Sequence, residues 1–279
     1  MEKYELLPLQ LLREGVVQVA DFFAPDLVSM DAVYAVHDGN YIDAFTSNTL
    51  DAAAARRIGF EQTPLLVERE LRLAQGTLQG ALKALENRGI AFNIAGGTHH
   101  ACLAHGEGFC MINDQAVAAR YLTDQCGIKK VLIIDLDVHQ GNGTADIFSD
   151  DARVFTCSVH GKNNYPFRKE KSDLDIGLDD GTDDATYLKI LADFLPRLID
   201  EVQPEFVFYQ AGVDILASDK MGRMACTIEG CKRRDEIVLQ AARARNLPVQ
   251  VSMGGGYSPQ LKTILEAHCN TYKVASSLW

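Results

Sequence analysis

The strongest indication of the fold is the stretch Val131-Leu-Ile-Ile-Asp135-Leu-Asp137-Val-His139-Gln-Gly-Asn142-Gly-Thr144. Its apolar, Ile- and Val-rich beginning predicts a buried strand from Val131 to Asp137. Side chains two residues apart in a strand point to the same side, so Asp135, Asp137 and His139 are predicted to lie together at its C-terminal end. Ionisable groups in an apolar strand are costly unless they are paired or bind a metal. The stretch therefore predicts a metal site at the end of a central strand.

Apolar runs of this kind alternate with helical patterns along the chain. The predicted strands are Ile90–Ala95, Val131–Asp137, Val154–Val159, Phe206–Gln210 and Pro248–Met253. The predicted amphipathic helices are Pro64–Asn87, Asp114–Asp124, Ala185–Glu201 and Ile228–Arg245. Near-continuous apolar strands separated by helices are typical of a parallel sheet with helices on both faces. Because no repeat or linker interrupts the pattern, we predict one α/β domain over residues 1–279.

Composition excludes several classes of protein. The 279 residues are 47% hydrophobic and 23% charged, and no apolar run approaches the roughly 20 residues that a membrane span needs. Seven cysteines without a Cys-x-x-Cys pair argue against a disulfide framework, and no signal peptide is visible, so we expect a cytoplasmic protein, or a nuclear one if eukaryotic. A net charge of −11 disfavours direct binding to nucleic acid. It is compatible with a basic peptide substrate, although an acidic surface that only maintains solubility is the simpler interpretation.

Polar or glycine-rich segments follow all five predicted strands, and ligands of open α/β sheets bind at that edge. A catalytic metal site needs three protein ligands and an open position. Asp137 and His139 supply two, and Asp214, after the strand Phe206–Gln210, is the best third ligand. One His and two Asp suit Zn²⁺ without excluding Fe²⁺ or Co²⁺. A carboxylate that only caps its loop is the alternative for Asp214.

The tandem histidines His99-His100 follow the glycine pair at the end of the first predicted strand. We interpret them as a general base and a general acid beside a metal-activated water, with a surface turn as the alternative. Asp135 could accept the Nδ1–H of one histidine, and Asn142 could orient the other. Tyr257, after three glycines, could donate its hydroxyl proton to an oxyanion or could be a packing residue.

These motifs resemble those of the zinc-dependent histone deacetylase and acetylpolyamine amidohydrolase superfamily. The resemblance runs from about Val36 to Tyr257. It is carried by Gly96–Ala101, Gly106–Cys110, Asn113-Asp114, Asp135–Thr144, Ala211–Asp214 and Gly254–Tyr257. The stretch His160–Asp175 resembles the class IV branch and its bacterial relatives. The resemblance implies an arginase–deacetylase-type fold and a hydrolase that removes acyl groups from lysine, with long fatty-acyl chains as one option.

The resemblance also assigns residues to roles. It implies one Zn²⁺ per chain held by Asp137, His139 and Asp214, with His99, His100, Tyr257, Asp135 and Asn142 as the catalytic set. It pairs Asp135 with His99 and Asn142 with His100. The substrate channel would be lined by Gly108, Phe109, Tyr165 and Gly255. A structural K⁺ would be held by Asp135, Asp137, His139, Ser158 and Val159.

Two departures from the family pattern stand out. Many deacetylases carry Asp at the position of Asn142. Relatives also usually have a strand upstream of the Lys3-Tyr4 region, and we expect that strand to be missing here. Three alternatives stay open. They are a non-enzymatic acyl-lysine-binding scaffold, an amidohydrolase acting on a small acylated amine, and an arginase-like enzyme with two Mn²⁺. The sequence leaves the oligomeric state and the physiological substrate undetermined.

Overall fold

The protein, seen in a computed structural model that describes residues 2–279, is built around six parallel strands. The strands are β1 (Ile90–Asn93), β2 (Val131–Asp135), β3 (Val154–Gly161), β4 (Leu174–Leu178), β5 (Phe206–Gln210) and β6 (Val249–Ser252). Their order in the sheet is β1-β6-β5-β2-β3-β4, and every neighbouring pair is parallel. The prediction of an α/β fold with a parallel sheet is confirmed.

Ten α-helices surround the sheet in the described part of the chain. They are α1 (Glu2–Arg13), α2 (Met30–Tyr34), α3 (Gly39–Thr46), α4 (Ala52–Ile58), α5 (Pro64–Asn87), α6 (Asp114–Gln125), α7 (Asn142–Phe148), α8 (Asp184–Val202), α9 (Ile228–Arg243) and α10 (Leu261–Leu278). The four predicted helices correspond to α5, α6, α8 and α9. The start of α5 has a local cause: Pro64 occupies the first turn, and the Thr63 hydroxyl accepts the Leu66 N–H at 3.1 Å. None of these helices is long and apolar enough to cross a membrane.

Alternate residues of the central strands face two separate cores. In β2, Leu132 and Ile134 pack with residues of α8, α9 and α10, whereas Val131 and Ile133 pack with residues of α5 and α6. The same alternation holds in β5. Fully burying an aliphatic side chain contributes about 1.5–3 kcal/mol. This two-sided burial fixes the register of the central strands, and with it the positions of the loops at their carboxyl ends.

The sequence prediction missed one strand and misplaced the end of another. The strand β4 was not predicted because it lies at the edge of the sheet, where its residues alternate between half-buried and exposed until the buried Leu178. The central strand ends at Asp135 and does not continue to Asp137. Its last carboxylate accepts the Asp137 N–H at 3.1 Å, and the Asp137 carboxylate accepts the His139 N–H at 3.0 Å. These local hydrogen bonds turn the backbone out of the strand, so the two metal-ligand candidates lie in a loop.

Candidate active site

A cavity of about 860 Å³ opens at the carboxyl ends of the strands. Its walls come from the loops after β1, β2, β3, β5 and β6, together with the start of α1, the end of α4 and part of α5. We call this cavity the chamber. The sequence-predicted residues His99, His100, Gly108, Phe109, Asp137, His139, Tyr165, Asp214, Gly255 and Tyr257 all line it. The sheet therefore brings together side chains that are more than 150 residues apart in the chain.

Asp137, His139 and Asp214 form the one group of candidate metal ligands among residues 2–279. All three are buried, and one ligand atom from each lies within 4.8 Å of the others. The backbone locks the two carboxylates in place. The Val138 N–H donates to Asp214 Oδ1 at 2.9 Å, and the Gly255 N–H donates to Asp137 Oδ2 at 2.8 Å. The three residues that were predicted as ligands are therefore held together in space.

This cluster fits a divalent cation. Asp214 Oδ2 is buried without a hydrogen-bond partner. Burial and the neighbouring Asp137 charge raise the pKa of Asp214 to about 7, so in the absence of a cation the two carboxylates destabilise each other. A Cβ built on Gly255 would lie 2.0 Å from Asp214 Oδ2, which explains why the loop has glycine there. One imidazole and two carboxylates are ligands that Zn²⁺ accepts.

The tandem histidines form two adjacent dyads. His99 Nδ1 lies 2.6 Å from Asp135 Oδ2, and His100 Nδ1 lies 2.7 Å from Asn142 Oδ1. The two imidazole centroids are 4.1 Å apart. Burial lowers the pKa of His99, but the charges of Asp135 and Asp137 outweigh burial and raise it to about 9. Burial, together with the neighbouring His99 charge, holds the pKa of His100 well below its usual range.

Glu107 fixes the orientation of the Asn142 amide and was missed by the sequence reasoning. Asn142 Nδ2 donates to Glu107 Oε1 at 2.8 Å, which leaves the amide oxygen as the acceptor for His100 Nδ1–H. Burial raises the pKa of Glu107, but hydrogen bonds from His105, Tyr165 and Asn142 outweigh it and lower the pKa to about 2. Glu107 lies within the Gly106–Cys110 motif, so the motif was visible although this role was not.

The predicted channel residues form a narrow wall beside His100. The Tyr165 ring meets the His100 ring edge-on, with centroids 4.9 Å apart. Gly108 has a φ of +55°, and a Cβ there would lie 2.8 Å from the His100 ring and 3.1 Å from the Tyr165 ring. Phe109 also has a positive φ and stacks at a tilt on Phe60, with centroids 5.3 Å apart. A glycine is therefore required where the wall approaches the histidines.

Tyr257 lies at the chamber wall formed by the glycine-rich loop after β6. Its N–H donates to Asp219 Oδ2 at 2.6 Å, which anchors the backbone. Burial raises the pKa of its hydroxyl, so the phenol keeps its proton at neutral pH and can donate it. The buried Lys3, which the sequence reasoning left without a role, contacts the same loop: its Nζ donates to Gly254 O at 3.2 Å.

A buried arginine supports the loops that carry the ligands. Arg234 of α9 is fully buried, and its guanidinium donates to the backbone carbonyls of Leu136 and Gly212. Its partner Asp235 accepts the Tyr209 hydroxyl proton at 2.5 Å and the Thr271 hydroxyl proton at 2.7 Å. In the sequence, this role was indicated only by the pair Arg234-Asp235 among the apolar positions of the amphipathic helix α9.

Residues around the site include His37 and those predicted to bind K⁺. His37 makes structural hydrogen bonds: Nδ1 lies 2.9 Å from Cys102 O, and Nε2 accepts the Asn113 N–H at 3.0 Å. Of the predicted K⁺ ligands, Ser158 and Val159 are buried in β3, and Ser158 Oγ lies 2.9 Å from His160 Nδ1. Binding of K⁺ at this place stays a prediction.

Comparison with known proteins identifies the family. A family model described as the histone deacetylase domain matches residues 1–272. The chain belongs to the histone deacetylase family. An uncharacterized protein of Picosynechococcus sp. is 42% identical over 279 residues, which cover 100% of this chain and 93% of that protein. Assignment to the class IV branch stays a prediction.

Named eukaryotic relatives are longer than this chain. Histone deacetylase 2 of Arabidopsis thaliana is 32% identical over 88% of this chain and 66% of its own length. Histone deacetylase 1 of Homo sapiens is 33% identical over 73% of this chain and 42% of its own length. The crystal structure of the HDA15 HD domain superposes with a TM-score of 0.83 at 23% identity, covering 99% of this chain and 81% of that one. The predicted arginase–deacetylase-type fold is thereby confirmed.

Proposed function

We propose that the protein is a zinc-dependent deacylase that hydrolyses the side-chain amide of acyl-lysine. The observation that carries this proposal is the position of the Asp137, His139 and Asp214 cluster beside the two histidine dyads in one chamber. Membership of the histone deacetylase family supports a deacetylase-type hydrolase. A second close set of ligands, as a two-metal arginase-like site would need, is absent from residues 2–279.

A Zn²⁺ held by the cluster would supply Lewis acidity toward the amide carbonyl and water. The chain's own residues then handle the protons. His100 donates its Nδ1–H to Asn142, so its Nε2 lone pair is free to accept a proton from the attacking water. His99, whose Nδ1 lies 2.6 Å from Asp135 Oδ2, would deliver a proton to the leaving nitrogen.

The products follow from this proton balance. Water adds its oxygen to the acyl carbon, the C–N bond breaks, and the nitrogen leaves as the lysine amine while a carboxylate forms. The Tyr257 hydroxyl lines the chamber and would donate to the oxygen on which negative charge develops. The channel wall of Gly108, Phe109 and Tyr165 suits the aliphatic stem of an acylated lysine.

The acyl chain length is the finer part of the proposal. A chamber of about 860 Å³ lies at the upper end of the range of roughly 300–1,000 Å³ that small-molecule sites occupy. This volume supports acceptance of acyl groups longer than acetyl, with each buried CH₂ contributing about 0.8 kcal/mol. A steady fall of kcat/KM from acetyl- through octanoyl- to myristoyl-lysine in one peptide would identify a short-chain deacetylase.

The experiment that tests the proposed function is hydrolysis of this peptide series by the wild-type protein and by His100→Ala. We expect the wild type to release the carboxylic acid and leave a peptide with an unacylated lysine side chain, and the variant to lose this activity. Lys189→Ala is the control, because Lys189 is an exposed residue of α8 that does not line the chamber. Tight binding of acyl-lysine peptides without hydrolysis would favour a scaffold. Hydrolysis of acylated polyamines but of no peptide would favour a small-amine amidohydrolase.

A further inference from the structure

Three exposed basic side chains line the chamber although the chain as a whole is acidic. Arg56, Arg57 and Lys220 are exposed and line the chamber, whereas the formal net charge is −11. We call these three residues the rim. Among residues 2–279, none of the three takes part in an ion pair within 4.0 Å. The rim is therefore a local positive site on a negative protein.

The two arginines are held in place next to the channel wall. The Gly108 N–H donates to Arg57 O at 3.2 Å, and the Phe109 N–H donates to Ile58 O at 2.8 Å. These backbone hydrogen bonds tie the end of α4 to the loop that carries the predicted channel residues. The backbone that carries Arg56 and Arg57 is thus held beside the predicted substrate channel.

The third cation stands on a separate loop beside Tyr257. Lys220 follows Asp219, whose carboxylate accepts the backbone N–H groups of Tyr257 at 2.6 Å, Met221 at 2.8 Å and Gly222 at 3.0 Å. This loop is therefore also fixed. The rim cations come from the end of α4 and from the Asp219 loop, and both segments line the chamber, so a bound peptide can meet charge from both.

Few acidic side chains near the rim are free to pair with its basic side chains. Asp219 is engaged by the three backbone donors, and Asp51 Oδ1 caps α4 by accepting the Ala53 and Ala54 N–H groups, each at 2.8 Å. Among the described residues that line the chamber, Glu2 is the one exposed carboxylate. An arriving carboxylate would therefore find basic side chains that internal partners do not neutralise.

We propose that the rim selects acyl-lysine in an acidic sequence context, with Glu or Asp next to the modified lysine. This inference rests on the proposed function, and it reverses the expectation of a basic peptide that the net charge alone allowed. Carboxylates beside the acyl-lysine would approach the rim when the lysine stem enters the channel. Exposed ion pairs change affinity by roughly 1.5- to 5-fold each, so we expect a combined effect of about tenfold.

The test compares three peptides that share one acyl-lysine and differ only at the two residues on each side, which are all Glu, all Gln or all Lys. We expect kcat/KM to fall in the order Glu, Gln, Lys, with about tenfold between the extremes and the difference carried by KM. In 1 M NaCl, where the Debye length is about 3 Å, the ratio of kcat/KM between the Glu and Lys peptides should fall toward one. Hydrolysis of the Gln peptide tests the proposed function separately from this inference.

Charge reversal locates the effect. Arg57→Glu and Lys220→Glu should each reduce or invert the ratio of kcat/KM for the Glu peptide to kcat/KM for the Lys peptide. Lys189→Glu is the matched control, because Lys189 is an exposed lysine of α8 that does not line the chamber. Equal kcat/KM for the Glu and Lys peptides, a preference for Lys flanks, or a Glu preference that survives both rim variants would overturn the inference.

Discussion

The floor and the rim of the chamber differ in burial and in how their charges are paired. The floor comprises His99, His100, Asp137, His139 and Asp214, all at most 6% exposed and all bonded to other protein groups. The rim comprises three exposed basic side chains without ion-pair partners in the described chain. Charges in a buried site interact strongly, whereas exposed charges are screened by water and salt. Floor substitutions should therefore change turnover by orders of magnitude, and rim substitutions should change KM by small factors.

The largest effect is expected at the metal-ligand cluster. Asp214→Ala removes one of three ligands and a carboxylate that also accepts the Val138 N–H, so we predict loss of both bound metal and activity. Metal content by mass spectrometry and peptide hydrolysis measure the two. Asp200→Ala, at an exposed aspartate outside the chamber, should keep both. Retention of stoichiometric metal in Asp214→Ala would show that the ligand set is wrong.

The next effect concerns Tyr257, the proposed oxyanion donor. Tyr257→Phe removes one hydroxyl and leaves the ring, so the fold and metal content should stay while kcat falls on the order of 10²–10³-fold. Tyr4→Phe is the control, because Tyr4 is another tyrosine of the chamber wall without an assigned role. A Tyr257→Phe variant with wild-type kcat would reduce Tyr257 to a packing residue.

The buried carboxyl group of Glu70 makes the free energy of unfolding depend on pH. Burial raises the pKa of Glu70 to about 8 and outweighs the lowering effect of Arg69, whose Nη2 lies 3.3 Å from Glu70 Oε1. The unfolded chain ionises Glu70 near pH 4.5, but the folded chain does so only near pH 8, so this group's contribution destabilises the fold as pH rises between these values. At 1.36 kcal/mol per pKa unit the loss has an upper bound of about 5 kcal/mol.

Glu70→Gln should therefore stabilise the protein at pH 8 and leave it nearly unchanged near pH 4. Urea unfolding at the two pH values measures the difference. Glu68→Gln, at an exposed glutamate two residues earlier in the same helix, should change the free energy of unfolding by less than about 1 kcal/mol. Equal effects of Glu70→Gln at both pH values would contradict the assignment.

The channel should show a smaller effect. Gly108→Ala places a methyl group 2.8 Å from the His100 ring, so we predict a fall in kcat/KM of about tenfold, from an overpacking cost of roughly 1–3 kcal/mol. Gly181→Ala is the matched control. Gly181 also has a positive φ, but nothing lies within 4 Å of the added Cβ. If both variants lost activity equally, backbone strain and not channel width would be responsible.

The floor was predictable from sequence because each of its residues follows a strongly apolar run. The runs that became β2 and β5 gave the positions of the ligands, and the glycine pair before His99 indicated an irregular backbone. The strand boundary at Asp135 was missed, because the local hydrogen bonds of Asp135 and Asp137 that end the strand depend on side-chain orientation.

The rim was not predictable, because Arg56 and Arg57 lie at the end of a short helix far from every motif. Their place beside the channel depends on the backbone pairing of Arg57 and Ile58 with the loop at Gly108. Lys3 was missed for a similar reason, since its contact with Gly254 joins residues 251 positions apart. Tertiary contacts of this kind leave no periodic pattern in the sequence.

Titration of metal-free protein with Zn²⁺, with bound metal and acyl-lysine hydrolysis recorded on the same samples, is the direct test of the proposed zinc site. We predict that activity rises with zinc and saturates at one ion per chain, because residues 2–279 hold one cluster of candidate ligands. Asp137→Ala should neither bind zinc in stoichiometric amount nor gain activity. Full hydrolysis by the metal-free protein, or activation that requires two ions per chain, would contradict the central claim.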